Sequence, residues 1–282
     1  MSYEKYWNLN EKAFEEICDP HFFFESDDHR EALDRLLYIV NDRNMNMSLL
    51  TGEVGSGKTI TKKVFENSLS KDIFEVISFE NSSFKFSDIL YDIVKRISFL
   101  NPDTAGIKEI ESPARNDDYQ TINIFKEKLD ILVYEEKRHL ILIFDEAQLM
   151  DLEVLDHIKN LTNISSETAN YMTIFLVGQP ELREKIRLLK QVDQRIFLRF
   201  HLNNLDFTNS VNYIEHRLKV AGKKNGTLFS SQAYEMIFRN TCGVPREINR
   251  LCKLALTFGI SQNLQLISHE DIEVILDDLG SN

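Results

Sequence analysis

The segment Gly52-Glu53-Val54-Gly55-Ser56-Gly57-Lys58-Thr59 limits what this chain can fold into more than any other. It fits G-x-x-x-x-G-K-[ST], a pattern that carries meaning when an apolar strand precedes it and a helix follows. Met47 to Thr51 is short and mostly apolar, as a buried strand requires, and Ile60 to Leu69 reads as a helix. Glycines let successive N–H groups curl round a phosphate without Cβ clashes. A helix starting near Lys58 turns its positive end toward the same anion. Gly52, Glu53, Val54, Gly55, Ser56, Gly57, Lys58, Thr59 and Ile60 are therefore the expected phosphate-binding residues. Lys58 is expected to reach the β- and γ-phosphates and the Thr59 hydroxyl to bind Mg²⁺.

His139 to Phe144 (HLILIF) is an unbroken apolar run, as in a central parallel strand buried on both faces. Asp145 and Glu146 follow it directly. Two acids at the carboxyl end of such a strand stand where ligands collect in a parallel sheet. Asp145 is expected to hold Mg²⁺, and Glu146 to polarise the water that attacks the γ-phosphate. Met172 to Val177 reads as another buried strand, which places Gln179 to touch that phosphate or that water. Asn81, after an expected strand at 74–79, is a candidate partner for Glu146.

The remaining pattern orders itself round these strands. Residues 1–30 are aromatic-rich and irregular, with Trp7, Phe14 and Phe22 to Phe24 read as core or interface rather than as a base-stacking box. Helices are expected over 29–43, 86–100, 121–135, 152–163 and 181–189, a flexible polar loop over 101–118, and a short last strand over 200–202. Beyond residue 204 the pattern changes to helices alone, over 208–221, 230–240, 245–258 and 269–279. The division expected is an α/β domain at 1–204, with 1–30 as an extension, and an all-helical domain at 205–282.

Lys plus Arg is 33 and Asp plus Glu is 45, a formal charge of −12. Binding to nucleic acid then needs a local basic patch, for which Lys62, Lys63, Lys85, Lys95 and Arg96 are the candidates. Cys18, Cys242 and Cys252 have neither metal nor disulfide spacing. They read as small core residues in a reducing cytoplasm. No window approaches the length of a membrane span, and the N-terminus is no secretory signal.

The residues 51–59 (TGEVGSGKT), 144–148 (FDEAQ), 178–182 (GQPEL), 194–202 (QRI…RFHL) and 243–252 (GVPREINRLC), with His29-Arg30-Glu31-Ala32-Leu33 before them, recur in a known order. In this the chain resembles the AAA+ ATPase family that includes the general-secretion-pathway ATPase ExeA/GspA and the pilus protein MshM. It is also similar to the transposition ATPases of the TniB and TnsC kind. The resemblance implies a P-loop NTPase αβα core with a parallel 5-1-4-3-2 sheet and a C-terminal helical lid. It implies ATP as the nucleotide and ring or filament homo-oligomers with ATP at their interfaces. Gln179 would then be a sensor, Arg246 a second sensor reaching the γ-phosphate from the lid, and Arg195 (with Arg199 second) an arginine finger for a neighbouring subunit. The secretion members often continue into a membrane span and a peptidoglycan-binding domain, whereas this sequence stops after the lid. Two roles are expected: an ATPase that drives assembly of a partner protein complex, or a DNA-bound targeting scaffold. A module that merely holds nucleotide is disfavoured by the intact Lys58, Asp145, Glu146 and Arg246.

Overall fold

Three apolar runs of strand length, none of them alternating, dictate a sheet covered on both faces. In the computed structural model, which describes residues 3–98, 118–165, 170–224 and 226–280, they form it. Strands β1 (Met47–Gly52), β2 (Phe74–Phe79), β3 (His139–Phe144), β4 (Met172–Gly178) and β5 (Ile196–Leu202) make one sheet in the order β2-β3-β4-β1-β5. This is the order expected. The β1–β4, β2–β3 and β3–β4 pairs are parallel. Register aligns Phe144 with Leu176 and Thr51 with Gly178, so three strands end at one edge of the sheet. The acids after β3 therefore emerge at the edge of the sheet where β1 ends.

The chain packs as two compact units. One comprises Ala32–Thr51 and Phe65–His201, the other Met1–Glu31, Gly52–Val64 and Leu202–Asn282. In the first, Leu140, Leu142 and Phe144 of β3 and Ile174 and Leu176 of β4 share a core with Ile89, Leu90 and Ile93 of α4 (Phe86–Ser98) and with Phe125 of α5 (Asp118–Asp130). Each buried Leu or Ile side chain contributes about 1.5–3 kcal/mol against exposure. In the second, α9 (Phe207–Val220), α10 (Ser231–Thr241), α11 (Pro245–Ser261) and α12 (His269–Gly280) enclose a core that Trp7, Phe14 and Phe22 complete. The early aromatics are core, as expected. Arg217 of α9 fixes them: its guanidinium donates to the carbonyls of Ala13 (2.6 Å) and Glu15 (3.3 Å) and lies over the Phe22 ring.

Several boundaries differ from expectation, each for a local reason. β5 begins four residues earlier than the expected 200–202, at Ile196. It is an edge strand in which Arg199 and His201 break the apolar run. The expected helix 121–135 is α5 followed by a π-turn over Ile131–Glu135. The N-terminal stretch is not wholly irregular, since it holds the helix Tyr3–Trp7 and a turn of 3-10 helix at Pro20–Phe22. The loop expected over 101–118 lies outside the described residues, save Asp118 at the start of α5. Only Cys252 is the core cysteine expected; Cys18 is half-buried, and Cys242 is exposed at the end of α10 in the left-handed conformation. No helix of the described residues is long and apolar enough to cross a membrane.

Candidate functional site: a phosphate loop and an acidic strand end

The glycine loop belongs to the unit of residues 1–31, 52–64 and 202–282. It runs from the end of β1 into α3 (Lys58–Ser68). Gly55 and Gly57 have φ values of 81° and 104°, which side-chain-bearing residues seldom adopt. Neither position has room for a Cβ: at Gly55 it would meet Arg246 at 2.8 Å, and at Gly57 the His29 ring at 2.7 Å. Lys58 is buried, and its ammonium donates to the carbonyls of Gly52 and Glu53, each at 2.8 Å. Its charge thus lies inside the loop whose N–H groups and helix end both favour an anion. The Ser56 hydroxyl is buried with no partner among the described residues. Thr59 and Ile60, in the first turn of α3, are half-buried. Arg246 stands in the first turn of α11, behind Pro245, and its backbone N–H reaches the Gly55 carbonyl at 3.4 Å. The expected lid arginine and the phosphate loop are therefore direct neighbours.

The acidic strand end belongs to the other unit. Asp145 is 2 % exposed; its N–H continues the ladder to the Phe79 carbonyl at 2.8 Å, and its carbonyl accepts from the Ser82 hydroxyl. Asp145 Oδ1 accepts from the Glu146 N–H at 2.9 Å. Glu146 itself is left-handed, with φ 52° and ψ 36°. Such a backbone costs of order 1–3 kcal/mol in a residue with a side chain and is found where function demands an orientation. Its carboxylate is gripped by two amides: Gln148 Nε2 donates to Oε2 at 2.5 Å and Gln179 Nε2 to the same oxygen at 3.3 Å. Gln148 also accepts from the Gln179 N–H at 3.0 Å, tying the ends of β3 and β4 together. Lys185 in turn holds the Gln148 and Met150 carbonyls at 2.5 and 2.9 Å.

Gln148 is the residue that sequence reasoning left without a role, although it closes the motif at 144–148. Asn81, the expected restraint on Glu146, instead accepts from Ser83 N and Oγ at 3.0 and 2.9 Å in a local turn, because an Asn side chain finds its own backbone first. Gln179 reaches the Glu146 carboxylate from the sensor position. The two candidate finger arginines separate clearly. Arg199 is ion-paired with Asp193 Oδ1 at 2.6 Å within its own chain, whereas exposed Arg195 donates to the neutral Asn163 amide at 2.7 Å.

The basic candidates do not fare alike. Lys62 is 1 % exposed, and Lys63 donates to the Cys18 carbonyl at 3.3 Å. Lys85 and Lys95 are exposed, but Arg96 pairs with Asp92 at 2.8 Å and covers the Phe79 ring. Lys62 falls on the buried side of α3 because the 3.6-residue period turns it toward the core face of Thr61 and Phe65. Thr59 offers a hydroxyl oxygen in one unit and Asp145 a carboxylate in the other, and each is a donor of the kind magnesium prefers.

A five-stranded sheet of this order, a phosphate loop after β1 and paired acids after β3 define a P-loop ATPase of the AAA class. A family model described as an AAA domain matches residues 41–186, and the chain belongs to that family. General secretion pathway protein A of Aeromonas hydrophila is 30 % identical over 274 residues, covering 96 % of this chain and 47 % of that protein. The chain thus spans about half the length of that relative. The Aeropyrum pernix ORC2 protein in its ADPNP–ADP complexes superposes with a TM-score of 0.65 at 19 % identity, over 93 % of this chain and 70 % of that one. Drosophila ORC bound to DNA gives 0.65 at 14 % identity, over 98 % and 65 %. The Thermotoga maritima RuvB Holliday junction branch migration motor gives 0.58 at 16 %, over 91 % and 70 %. At these identities the likeness is one of fold.

Proposed function

We propose that this chain hydrolyses ATP at the interface between copies of itself and uses the cycle to switch the assembly of a partner protein complex. The Gly52–Thr59 loop and Lys58 take the phosphates, and Arg246 adds a cation on the loop side. Magnesium, held through Thr59 and Asp145, would neutralise the triphosphate charge. Glu146 orients the attacking water, and Gln179 with Gln148 keeps its carboxylate in place. The functional division runs at 204/205, with the helical segment 205–282 acting as a lid on the ATPase domain. Arg195 of a second copy, in a ring or filament, is the arginine finger. The free cysteines support a reducing, cytoplasmic setting.

One observation carries hydrolysis over mere nucleotide holding: the Glu146 carboxylate, in a strained backbone, is oriented by two amides. A site that only held nucleotide would have no use for that arrangement. The DNA-scaffold alternative gains nothing from the basic candidates, of which one is buried and another ion-paired in a chain of charge −12. The test is the ATPase rate per subunit against protein concentration. It should rise through the assembly range, and Arg195→Ala should stay slow throughout while binding ATP. A rate independent of concentration would overturn the shared site.

A further inference from the structure

We propose that His29 is a positioning residue for nucleotide binding, a buried strut that sets the shape of the phosphate loop from behind. The inference rests on reading Gly52–Thr59 as a triphosphate cradle. Ser26 precedes α2 (Asp27–Asp42), and its hydroxyl accepts from the His29 N–H at 3.4 Å. The same hydroxyl lies 2.7 Å from His29 Nδ1, so one serine fixes both the backbone and the ring. The Phe23 ring meets the imidazole edge-on at 5.7 Å between centroids. The far nitrogen, Nε2, stands 2.7 Å from where a Gly57 Cβ would be, so the ring packs directly against the loop. Both Ser26 and His29 are 4 % exposed.

A buried imidazole is expensive unless its polar atoms are satisfied, and an apolar side chain would fill the same space more cheaply. Here one ring nitrogen is held by the Ser26 hydroxyl at the start of α2, and the other faces the loop at Gly57. The loop segment so held is the one whose N–H groups would face the phosphates. Its glycines cannot hold the shape unaided, because they lose more conformational freedom on ordering than any other residue. A strut that orders the loop beforehand removes that cost from binding. Burial lowers the ring from 6.5 to about 4, so the strut is neutral at physiological pH and adds no cation to the site.

The test compares affinity for a slowly hydrolysed ATP analogue with magnesium, by calorimetry, with the melting of the same full-length variants. His29→Phe keeps an aromatic ring, a somewhat larger one, and removes the hydrogen bond to Ser26. It should fold and bind about tenfold more weakly, the loss expected for a buried hydrogen bond. His29→Gln, which restores a polar end, should recover most of that affinity. If His29→Phe melts and binds like the parent, the proposal falls. If His29→Phe does not fold, Ser26→Ala decides: a loss of about threefold supports the strut, and parent affinity removes it. A parent chain that binds no nucleotide would instead sink the functional reading on which this rests.

Discussion

In the loop Gly52–Thr59 the groups proposed to work are backbone N–H donors, and the side chains that matter are those keeping space clear or filled behind them. At the end of β3 the group proposed to work is a single carboxylate, Glu146, and what matters is the pair of amides that hold it. The first region is shaped by what glycine permits, the second by what glutamine holds. Backbone sites declare themselves in sequence as fixed spacings of small residues. Side-chain sites show only the reactive group, and the supporting residues pass for ordinary polar ones.

The comparison breaks most decisively at Glu146. Glu146→Gln should lower turnover by about 10²- to 10⁴-fold, the range of a lost general base, while ATP affinity is retained. Single-turnover hydrolysis set beside equilibrium binding would check this. A fall in affinity equal to the fall in rate would mean the two regions are not separable in this way.

Acid sharpens it next, because each unit holds one buried histidine, His29 behind the loop and His139 at the start of β3. Burial lowers both rings from 6.5 to about 4. The unfolded chain therefore takes up these protons more readily than the folded one. The stability involved is fully present above the unfolded value of 6.5 and is lost as pH falls towards 4, by up to about 3 kcal/mol per ring. Urea midpoints should drop between pH 7 and pH 4.5, and His29→Gln and His139→Gln should each remove part of that slope. A slope unchanged in the double variant would show that neither ring is buried as described.

The smallest effect belongs to Gln148. Gln148→Ala should lower kcat about tenfold through a misaimed Glu146, with nucleotide affinity unchanged, since a hydrogen bond to a charged group is worth about 1.5–3 kcal/mol. An unaltered kcat would leave the aiming to Gln179 alone.

The sequence revealed the parts whose cause is local. β2 and β3 fall at the residues expected, because HLILIF is an apolar run of strand length and FEVISF is rich in β-branched and aromatic residues. The strand order came from family likeness and not from periodicity, which cannot tell which strands adjoin. β5 was cut short because an edge strand alternates, and Arg199 inside it looked like a flank rather than a member. The glycine loop and the two acids were legible as spacings. Gln148 and His29 were not, since their roles depend on distances to residues 31 and 28 positions away in the chain, Gln179 and Gly57.

Trp7, Leu9, Ala13, Phe14 and Phe22 complete a core otherwise built from residues beyond 204, with Arg217 holding the Ala13 and Glu15 carbonyls. During synthesis the opening residues leave the ribosome long before their partners exist. They must wait, aromatic and unburied, while about 180 further residues are made at 5–20 per second, so that they are among the last parts of their unit to settle. That interval of roughly ten seconds or more is when this protein is most exposed to chaperones and to its own neighbours.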